Sequence, residues 1–518
     1  MSSQASSNGN ESHSGPAVEV YAVYGAEPEV QAYAMAKYSR SALSMKESLK
    51  EISQQKAEKF LNTFYFQYGH RSIADLAHIA LAIERLSILA AIAVADEQRW
   101  DGQERSTRYQ DFKKSGYFTP EFSDTAARDL YRKTMDELFV HYDALSQSMF
   151  EYLASITAKP EDMKQEAYER TLRARAFDIS RYLLPLGTNT SLGEIVNART
   201  LELQVSHLLS HTHKEVRDLG ELLKRAATSP AYNVNHESLR DLVESIRAAA
   251  PELAERAEQE LLRETRVAPT LVKYAEPSRY EIETRRELRQ AAAELLGGSP
   301  IEPAKTVDLL DSEPLEVELA TTLLYEHSHY PYRQIRAAVE AAGGKRREEI
   351  IDLGLRHRGK HDEMLRAFCS GQQFRFDILM DIGGFRDMHR HRRCIQIGQG
   401  FTTAHGYDTP EEVERAGKRQ DYDRVMQGIV SAVEQLSRSG SDENAQYAIP
   451  LAFRKRTLFK MDFAEVAYIS ELRTGPAGHI SYRKVAYDMY EAVAQRYPAL
   501  AKYFRVTDVR EPVDLLKR

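Results

Sequence analysis

The predicted order of secondary-structure elements repeats once along this chain of 518 residues. Each half opens with helical patterns, passes through a polar stretch and closes with two or three long helices. The stretch 297–314, which begins Gly-Gly-Ser-Pro, lies between the halves and predicts a linker. We therefore expect two homologous units, 17–296 and 315–518, preceded by a disordered tail, 1–16, that has almost no apolar residue to bury.

The overall charge and the cysteine content limit the classes of function. A formal net charge of −7 argues against a general nucleic-acid-binding protein, which usually has a strongly basic domain. With only two cysteines, the chain has no disulfide framework and no four-thiolate zinc site. The longest apolar run, 79–95, contains Glu84 and Arg85 and is too polar to span a bilayer. Because we also find no secretory signal, we expect a cytoplasmic protein with neither nucleic-acid nor membrane partners.

The spacing of apolar residues predicts a mostly helical chain. Long helices are predicted over 32–65, 73–95, 126–158, 166–184, 415–437, 463–472 and 481–497. Capping residues at 188–190 predict the start of another helix that continues past Asn197, and 325–342 is also helical in pattern. The alternation in 374–380 predicts a strand or the entry to a helix. His211 and His213 are two positions apart and do not share a helix face, so no metal site is predicted.

The polar stretch of the second half is an unbroken run of histidines and arginines, 389–393. Guanidinium groups bind phosphate and carboxylate through paired N–H donors and stack on flat rings, so the run predicts a site for an anion or an electron-rich ring. A solvated basic face or a nucleic-acid contact is the alternative interpretation of such a cluster. The polar stretch of the first half, 103–110, is too charged for a core strand and is predicted to be a site loop.

These two stretches contain complementary parts of one motif. Arg-His-Arg occupies 390–392, and Gln-Glu-x-Ser-x-Arg-Tyr occupies 103–109. Together they resemble the hallmark of the flavin-dependent thymidylate synthases, the ThyX family, in which Arg-His-Arg is followed after seven residues by a serine. In the second half Gly400 stands at the serine position, and in the first half Asp-Glu-Gln at 96–98 replaces Arg-His-Arg. Each half therefore keeps the part that the other has lost.

The same complementarity continues downstream. The first half keeps residues that match the family pattern at Arg181, Asn197 and Arg199, but has Leu208 where the family has a further arginine. The second half has lost the first three and keeps the last as Arg473. The resemblance is thus to two diverged ThyX-like units fused in tandem, with one composite site between them.

The resemblance implies roles for individual residues. It implies FAD binding by Ser72, Glu104, Asn197, Arg199, Arg390, His391 and Arg392. It implies binding of a pyrimidine nucleotide by Glu104, Ser106, Arg108, Arg181, Asp387 and Arg473. Ser106 and Arg473 are the implied catalytic residues, and Arg473 would stabilise negative charge on the pyrimidine ring. Asp387 departs from the family, which usually has glutamine at this position.

The fold and activity follow from the same resemblance. The implied fold is α+β, with two homologous units that each have a small antiparallel sheet wrapped by long helices. The implied reaction is methylation of dUMP to dTMP with FAD, methylenetetrahydrofolate and NADPH, in a homodimer of fused pairs. Two alternatives stay open: a flavoprotein that acts on another pyrimidine nucleotide or transfers another one-carbon group, and a non-catalytic nucleotide-binding relative.

Overall fold

Two small antiparallel sheets, one in each half of the chain, organise the fold. The computed structural model describes residues 25–37, 71–311, 313–359, 365–371, 374–440, 442–502 and 504–516. The first sheet contains β1 (His78–Ser87), β2 (Trp100–Glu104) and β3 (Asn189–Asn197) in the order β1-β3-β2. The second contains β4 (Val307–Leu309), β5 (Phe374–Asp381), β6 (Ile395–Gly398) and β7 (Arg454–Met461) in the order β4-β5-β7-β6. Without β4, the two sheets have the same strand order and the same antiparallel pairing.

Helices surround both sheets. In the first half they are α1 (Pro28–Lys37), α2 (Ile88–Ala95), α3 (Thr125–Ile156), α4 (Gln165–Ser180), α5 (Ala198–Leu209), α6 (Lys214–Thr228), α7 (His236–Ala249), α8 (Pro251–Leu261) and α9 (Arg279–Leu296). In the second half they are α10 (Leu315–Tyr325), α11 (Tyr332–Ala341), α12 (Gly343–Leu355), α13 (Ile382–Met388), α14 (Glu411–Arg415), α15 (Arg419–Arg438), α16 (Asp442–Ala445), α17 (Phe463–Arg473), α18 (Ile480–Arg496) and α19 (Pro498–Ala501). The 3₁₀ turns are Arg71–Leu76, Arg181–Leu183, Arg366–Phe368 and Gln446–Ala448. The predicted α+β class is confirmed.

Equivalent strands of the two sheets pass into equivalent helices through side-chain caps. Ser87 at the end of β1 and Asp381 at the end of β5 accept hydrogen bonds from backbone N–H groups at the starts of α2 and α13. Asn197 and Asp462 cap α5 and α17 in the same way. Short polar side chains favour this position because they satisfy N–H groups that have no partner within the helix. The local structure of the first unit is therefore repeated in the second.

The two units meet along a seam that has approximate two-fold symmetry. The N–H of Leu186 donates to the carbonyl of Ile449 at 2.9 Å, and the N–H of Leu451 donates to the carbonyl of Leu184 at 3.0 Å. The prolines between these residues pair as an antiparallel bridge. Exchange of the same contacts in both directions is the mark of an isologous interface between two copies of one fold.

One hydrophobic core crosses this seam. Tyr131 and Leu138 of α3 belong to the same cluster of buried residues as Met426 of α15 and Phe453 at the start of β7. A second cluster lies in the second half and includes Leu288 of α9. Helix α9 thus packs on α10 to α12, although the predicted boundary assigns it to the first unit; the boundary at 297–314 stays a prediction.

The predicted helix over 73–95 is wrong. This stretch begins in a 3₁₀ turn, continues as β1 and becomes helical only at Ile88. Ile79 and Ile83 point inward while neighbouring residues are exposed, as expected for a strand with one solvated face. Ser87 then starts α2, whose side chains are mostly buried. A short apolar run fits a strand or a buried helix equally well, and pairing with β3 decides for the strand.

Three other predictions need correction. Residues 188–190 lead into β3 rather than a helix, and the following helix α5 is capped by Asn197. The predicted site loop at 103–110 begins within the edge strand β2, which pairs on one side only. The helical pattern at 325–342 is interrupted between α10 and α11 by a loop.

The predicted long helices correspond to α3, α4, α15, α17 and α18, with ends shifted by a few residues. The strand predicted at 374–380 is confirmed as β5. Of the helix predicted over 32–65, residues 32–37 lie in α1, and 38–65 lie outside the described residues, as does the predicted tail, 1–16. No helix in the described ranges is long and apolar enough to cross a membrane.

Candidate functional site

Residues from both units meet beside the seam. The guanidinium of Arg386, on α13 of the second unit, donates to the carboxylate of Glu104 at 2.5 Å and to the hydroxyl of Thr107 at 3.4 Å. Glu104 ends β2 of the first unit. We call the group of residues around this contact the composite site: Glu104, Ser106, Arg108, Asp178, Arg181, Arg386, Asp387, Arg390, His391, Arg392, Arg473 and Tyr482.

Arg108 is buried in the composite site by partners from both units. Its guanidinium forms two parallel hydrogen bonds with Asp178, at 2.9 and 3.0 Å. It also donates to the hydroxyl of Tyr482 at 2.9 Å and to the carbonyl of Ala477 at 3.1 Å. Burial alone would raise the pKa of Asp178, but neighbouring cations, including Arg181 and Arg108, hold it well below its usual range. The carboxylate is therefore ionised at neutral pH.

Arg181 lies between two carboxylates. It starts the 3₁₀ turn after α4 and is 2% exposed. Its Nε is 3.5 Å from Asp178, and its Nη1 is 3.4 Å from Asp387 of the second unit. Asp387, the residue that departs from the family pattern, thus forms an ion pair with an arginine predicted to bind the nucleotide.

Arg473 contacts the central histidine of the Arg-His-Arg motif. Its Nε donates to Nε2 of His391 at 2.7 Å, and Nδ1 of that ring is 3.7 Å from Glu465. Because a guanidinium can only donate, Nε2 is the acceptor and we assign the ring proton to Nδ1. Burial lowers the pKa of His391 and Arg473 acts in the same direction, against the opposing carboxylate. A neutral imidazole therefore orients Arg473 without cancelling its charge.

The flanking arginines of the motif add positive charge that neighbouring carboxylates offset only in part. Arg390 is exposed, and the guanidinium of Arg392 lies 4.8 Å from the centre of the Trp100 ring. Burial lowers the pKa of Arg473 and of Arg392, and repulsion by Arg390 lowers both further. Asp101 is 4.0 Å from Arg392 at its nearest. This end of the composite site favours an anionic ligand.

The remaining predicted residues have partners of their own. Asn197 caps α5, and Arg199 forms an ion pair with Asp75 at 3.1 Å. The hydroxyl of Ser106 accepts a hydrogen bond from the N–H of Arg108 at 3.3 Å. Ser72 lies in the first 3₁₀ turn, and its side chain is outside the described part of the structure.

Three residues of the composite site were missed in the sequence: Asp178, Arg386 and Tyr482. Asp178 carried a signal, because it precedes Arg181 by three positions on a predicted helix and so shares its face. Arg386 stands in the second unit, and its contact with Glu104 could not be read from a spacing. Tyr482 begins an ordinary apolar helical pattern, and only the packing of α18 turns its hydroxyl toward Arg108.

A large cavity occupies the position that the two-fold relation assigns to a second copy of this site. Its volume is about 1670 Å³. The counterparts of the composite-site residues line it, including Asp96, Glu97 and Gln98 for Arg-His-Arg, Leu208 for Arg473, Gln446 for Arg181, Glu443 for Asp178 and Thr402 for Arg108. We call it the twin cavity. At most of these positions the twin cavity has a shorter or uncharged side chain, although Asp96 still pairs with Arg366 at 2.8 Å.

Comparisons with known proteins agree with the two-unit architecture. The sequence model of the family described as thymidylate synthase complementing protein (Thy1) matches the chain twice, at residues 22–230 and 308–499. A UPF0159 protein of Chlamydia muridarum is 28% identical across 93% of this chain and 91% of its own length. A UPF0159 protein of Thermoplasma acidophilum is 23% identical across 88% of this chain and 90% of its own.

Single-unit relatives match only part of the chain. A flavin-dependent thymidylate synthase of Clostridium tetani is 26% identical across 34% of this chain and 68% of its own length. A crystal structure of thymidylate synthase X (ThyX) from Helicobacter pylori with FAD and dUMP covers 39% of this chain and 89% of its own, with 16% identity and a TM-score of 0.27. The double match of the family's sequence model carries the conclusion: the chain belongs to the thymidylate synthase complementing protein family, the ThyX family, as a tandem of two diverged units.

Proposed function

We propose that the composite site binds FAD and a pyrimidine nucleotide and methylates dUMP to dTMP, with methylenetetrahydrofolate as carbon donor and NADPH as reductant. The observation that carries the proposal is the retained pair of Arg473 and His391 beside the exposed Arg390. Family membership supports FAD as the cofactor. When bound, FAD supplies the redox chemistry that reduction of a transferred one-carbon unit to a methyl group requires.

The donor set fits FAD. Arg390 lies close enough to Arg392 and Arg473 to lower the pKa of each, and a diphosphate would relieve that repulsion. We assign flavin binding to these arginines and His391, with further contacts from Ser72, Glu104, Asn197 and Arg199. The stacking of Arg392 on Trp100 keeps its planar fork oriented without a carboxylate in close contact.

The arginines proposed to bind the nucleotide are more closely paired with carboxylates than those proposed to bind the flavin. Arg108 and Arg181 are the candidate phosphate ligands, and Glu104 and Ser106 belong to the loop beside them. The bonds of Arg108 to Asp178, Tyr482 and Ala477 use four of its five N–H donors, which leaves one for a ligand. Arg473 would stabilise the negative charge that develops on the pyrimidine ring when its C5 becomes nucleophilic. Its neutral histidine partner leaves its full charge for that role.

The cofactor assignment is tested by the absorption spectrum of the purified protein and by FAD titration of the apoprotein. We expect a bound flavin whose spectrum changes when dUMP is added. Absence of flavin binding would sink the proposal at its first step.

The catalytic assignment is tested by conversion of dUMP to dTMP in the complete reaction mixture. We expect Arg473→Ala to lower kcat by about 10²–10³-fold, which is the usual effect of removing one group that stabilises an oxyanion-like charge. Arg473→Lys should recover part of the rate because it restores the charge. Arg393→Ala is the control, since Arg393 is an exposed neighbour that pairs with Asp462 at 2.8 Å. A protein that binds FAD and dUMP but makes no dTMP would contradict the activity.

A second candidate is a flavoprotein that acts on a different pyrimidine, and Asp387 favours it. Its carboxylate lies within 3.5 Å of Arg181 and partly offsets the lowering of the pKa of Arg473 by burial. A carboxylate accepts hydrogen bonds from an exocyclic amino group and repels a carbonyl, so it suits cytosine better than uracil. Comparison of dCMP with dUMP separates the two candidates. If Asp387→Gln shifts preference from dCMP to dUMP, the residue sets the choice of base.

The third candidate is a nucleotide-binding relative without catalysis. It predicts that Arg473→Ala leaves the biological activity intact, for example in complementation of a strain that lacks the chromosomal copy. The proposed cytoplasmic homodimer of fused pairs is tested separately, by the molar mass of the purified protein in solution.

A further inference from the structure

The twin cavity is lined in part by a wall of buried polar side chains, several of which carry an oxygen atom without a hydrogen-bond partner among the described residues. Lys455 and Thr457 of β7 are 6% and 1% exposed, and Gln396 and Gln399, on and after β6, are 7% and 1% exposed. All four line the cavity. Within the described ranges, the hydroxyl of Thr457 and the side-chain carbonyl oxygens of both glutamines have no hydrogen-bond partner. Buried polar atoms are almost always satisfied, so several unpaired ones in the lining of one cavity need an explanation.

Lys455 is the charged centre of this wall. Its ammonium group donates to the backbone carbonyl of Gln399 and lies 4.3 Å from the centre of the Phe401 ring. Among the described residues, no carboxylate lies within ion-pair distance of it. Asp96 and Glu326, which also line the cavity, raise the pKa of Lys455 through longer-range attraction. Because neither lies close enough to pair with it, a bound anion would offset part of the cost of burying the ammonium group. Burial lowers the pKa of Lys455 to about 8, so the side chain is mostly protonated at neutral pH.

The backbone leaves the ammonium group room to reach the cavity. Gly398, the last residue of β6, also lines the cavity. A Cβ atom at this position would lie 3.1 Å from Cε and 3.2 Å from Nζ of Lys455. A side chain here would therefore crowd the end of the lysine and require a small shift of it.

The counterparts of this wall in the composite site are different residues. Strand β3 of the first unit carries Thr190 and Leu192 at the places of Lys455 and Thr457. At these two positions the wall therefore has no counterpart in the first unit. The arginines of the composite site, Arg108, Arg181 and Arg473, do not line the twin cavity.

We propose that the twin cavity is a second ligand site that takes an organic anion, with the anionic group at Lys455 and N–H donors of the organic part at Gln396 and Gln399. The amide oxygens can only accept, and Lys455 can only donate, so the ligand has to present both kinds of group. Phe401 adds an apolar surface beside the cation. A cavity of about 1670 Å³ has ample room for a molecule of nucleotide size.

Calorimetric titration with four probes tests the proposal: inorganic phosphate, citrate, guanosine monophosphate and guanosine. The nucleotide combines an anion with N–H donors, and guanosine lacks the anion. We expect guanosine monophosphate to bind at least tenfold tighter than guanosine. The difference between phosphate and citrate shows which anion the lysine prefers. Absence of binding by every anionic probe would overturn the proposal.

Variants locate the binding. Lys455→Met should weaken it at least tenfold, whereas Lys484→Met, at an exposed lysine that pairs with Glu411 at 3.7 Å, should leave it unchanged. Arg473→Ala, in the composite site, should also leave it unchanged. If Lys455→Met does not fold, Gln399→Glu serves instead, because a carboxylate beside Lys455 should repel the anion. Equal binding by Lys455→Met and the unaltered protein, or loss of binding in Arg473→Ala, would contradict the assignment.

Discussion

The composite site and the twin cavity occupy equivalent positions in the two-fold arrangement, yet one is filled by charge pairs and the other is hollow. At the equivalent of Arg181, which is buried between Asp178 and Asp387, the twin cavity has Gln446. At the equivalent of Arg473 it has Leu208. Neither replacement carries a charge, so the ion pairs formed at these positions in the composite site cannot form in the twin cavity. Leu208 is also smaller than an arginine and leaves more space. Duplication within one chain allows such divergence, because each copy no longer has to serve both sites.

The difference also separates two sources of electrostatic cost. In the composite site, each buried arginine has a carboxylate or a neutral acceptor close by, so the charges stabilise one another only as a set. In the twin cavity, the buried cation Lys455 has no such set among the described residues. The stability of the protein should therefore fall when one charged partner is removed from the composite site, and it should rise when an anionic ligand binds in the twin cavity.

Removal of Asp178 should have the largest effect on stability. Asp178→Asn leaves Arg108 and Arg181 buried with one carboxylate fewer, and we expect a loss of about 3–5 kcal/mol in the free energy of unfolding. The matched control is Glu443→Gln at the equivalent, exposed position of the twin cavity, which should change stability by less than about 0.5 kcal/mol. Urea denaturation followed by circular dichroism measures both. An equal loss of stability in both variants would contradict the proposed difference between the two sites.

The pH dependence of stability should be similar around the two sites, because His479 interacts electrostatically with Asp178 and His213 lines the twin cavity. His479 caps α18 and His213 precedes α6, and burial lowers the pKa of each to about 4. Between pH 6.5 and 4 the unfolded chain binds protons that the folded chain does not, so stability falls as the pH falls. At about 1.4 kcal/mol per pKa unit, each histidine accounts for roughly 3 kcal/mol of that loss.

Replacement of either histidine tests this symmetry. His479→Asn and His213→Asn should each flatten the fall in stability between pH 6.5 and 4 by a similar amount. Urea denaturation at four or five pH values measures the slopes. A flattened curve for one variant alone would show that the histidines have diverged along with the sites.

The smallest of these effects concerns the flavin. Arg392→Ala should raise the Kd for FAD about tenfold, which corresponds to about 1.4 kcal/mol, because one charge-assisted contact is lost. Arg393→Ala should leave it unchanged, since that side chain is exposed and paired with Asp462. Fluorescence titration of the apoprotein measures both. If Arg393→Ala weakened FAD binding more than Arg392→Ala does, the assignment of the flavin to the Arg-His-Arg motif would be wrong.

Much of this architecture could be predicted from the sequence because it depends on local patterns. The amphipathic periodicity of α3 and α15 is long enough to identify them, and the complementary losses at Gly400 and at 96–98 predicted that sites form between units. The strand β1 could not be distinguished from a helix in the sequence, because a short apolar run fits both structures. Its pairing with β3 is what makes it a strand.

The ion pairs and the cavity could not be predicted from the sequence for a different reason. The contact between Arg181 and Asp387 joins side chains more than two hundred positions apart, and no spacing encodes it. Lys455 lies on a strand whose partners decide whether its ammonium group faces solvent or a cavity. Asp178 is the exception, because its spacing from Arg181 on one helix placed the two on the same face.

The stoichiometry of FAD binding tests the central claim most directly. Two equivalent sites in one chain predict two flavins, whereas divergence of the pair predicts one. Titration of the apoprotein with FAD, followed by fluorescence quenching and checked by calorimetry, should saturate at one FAD per chain. Saturation at two per chain, or no binding at all, would contradict the account.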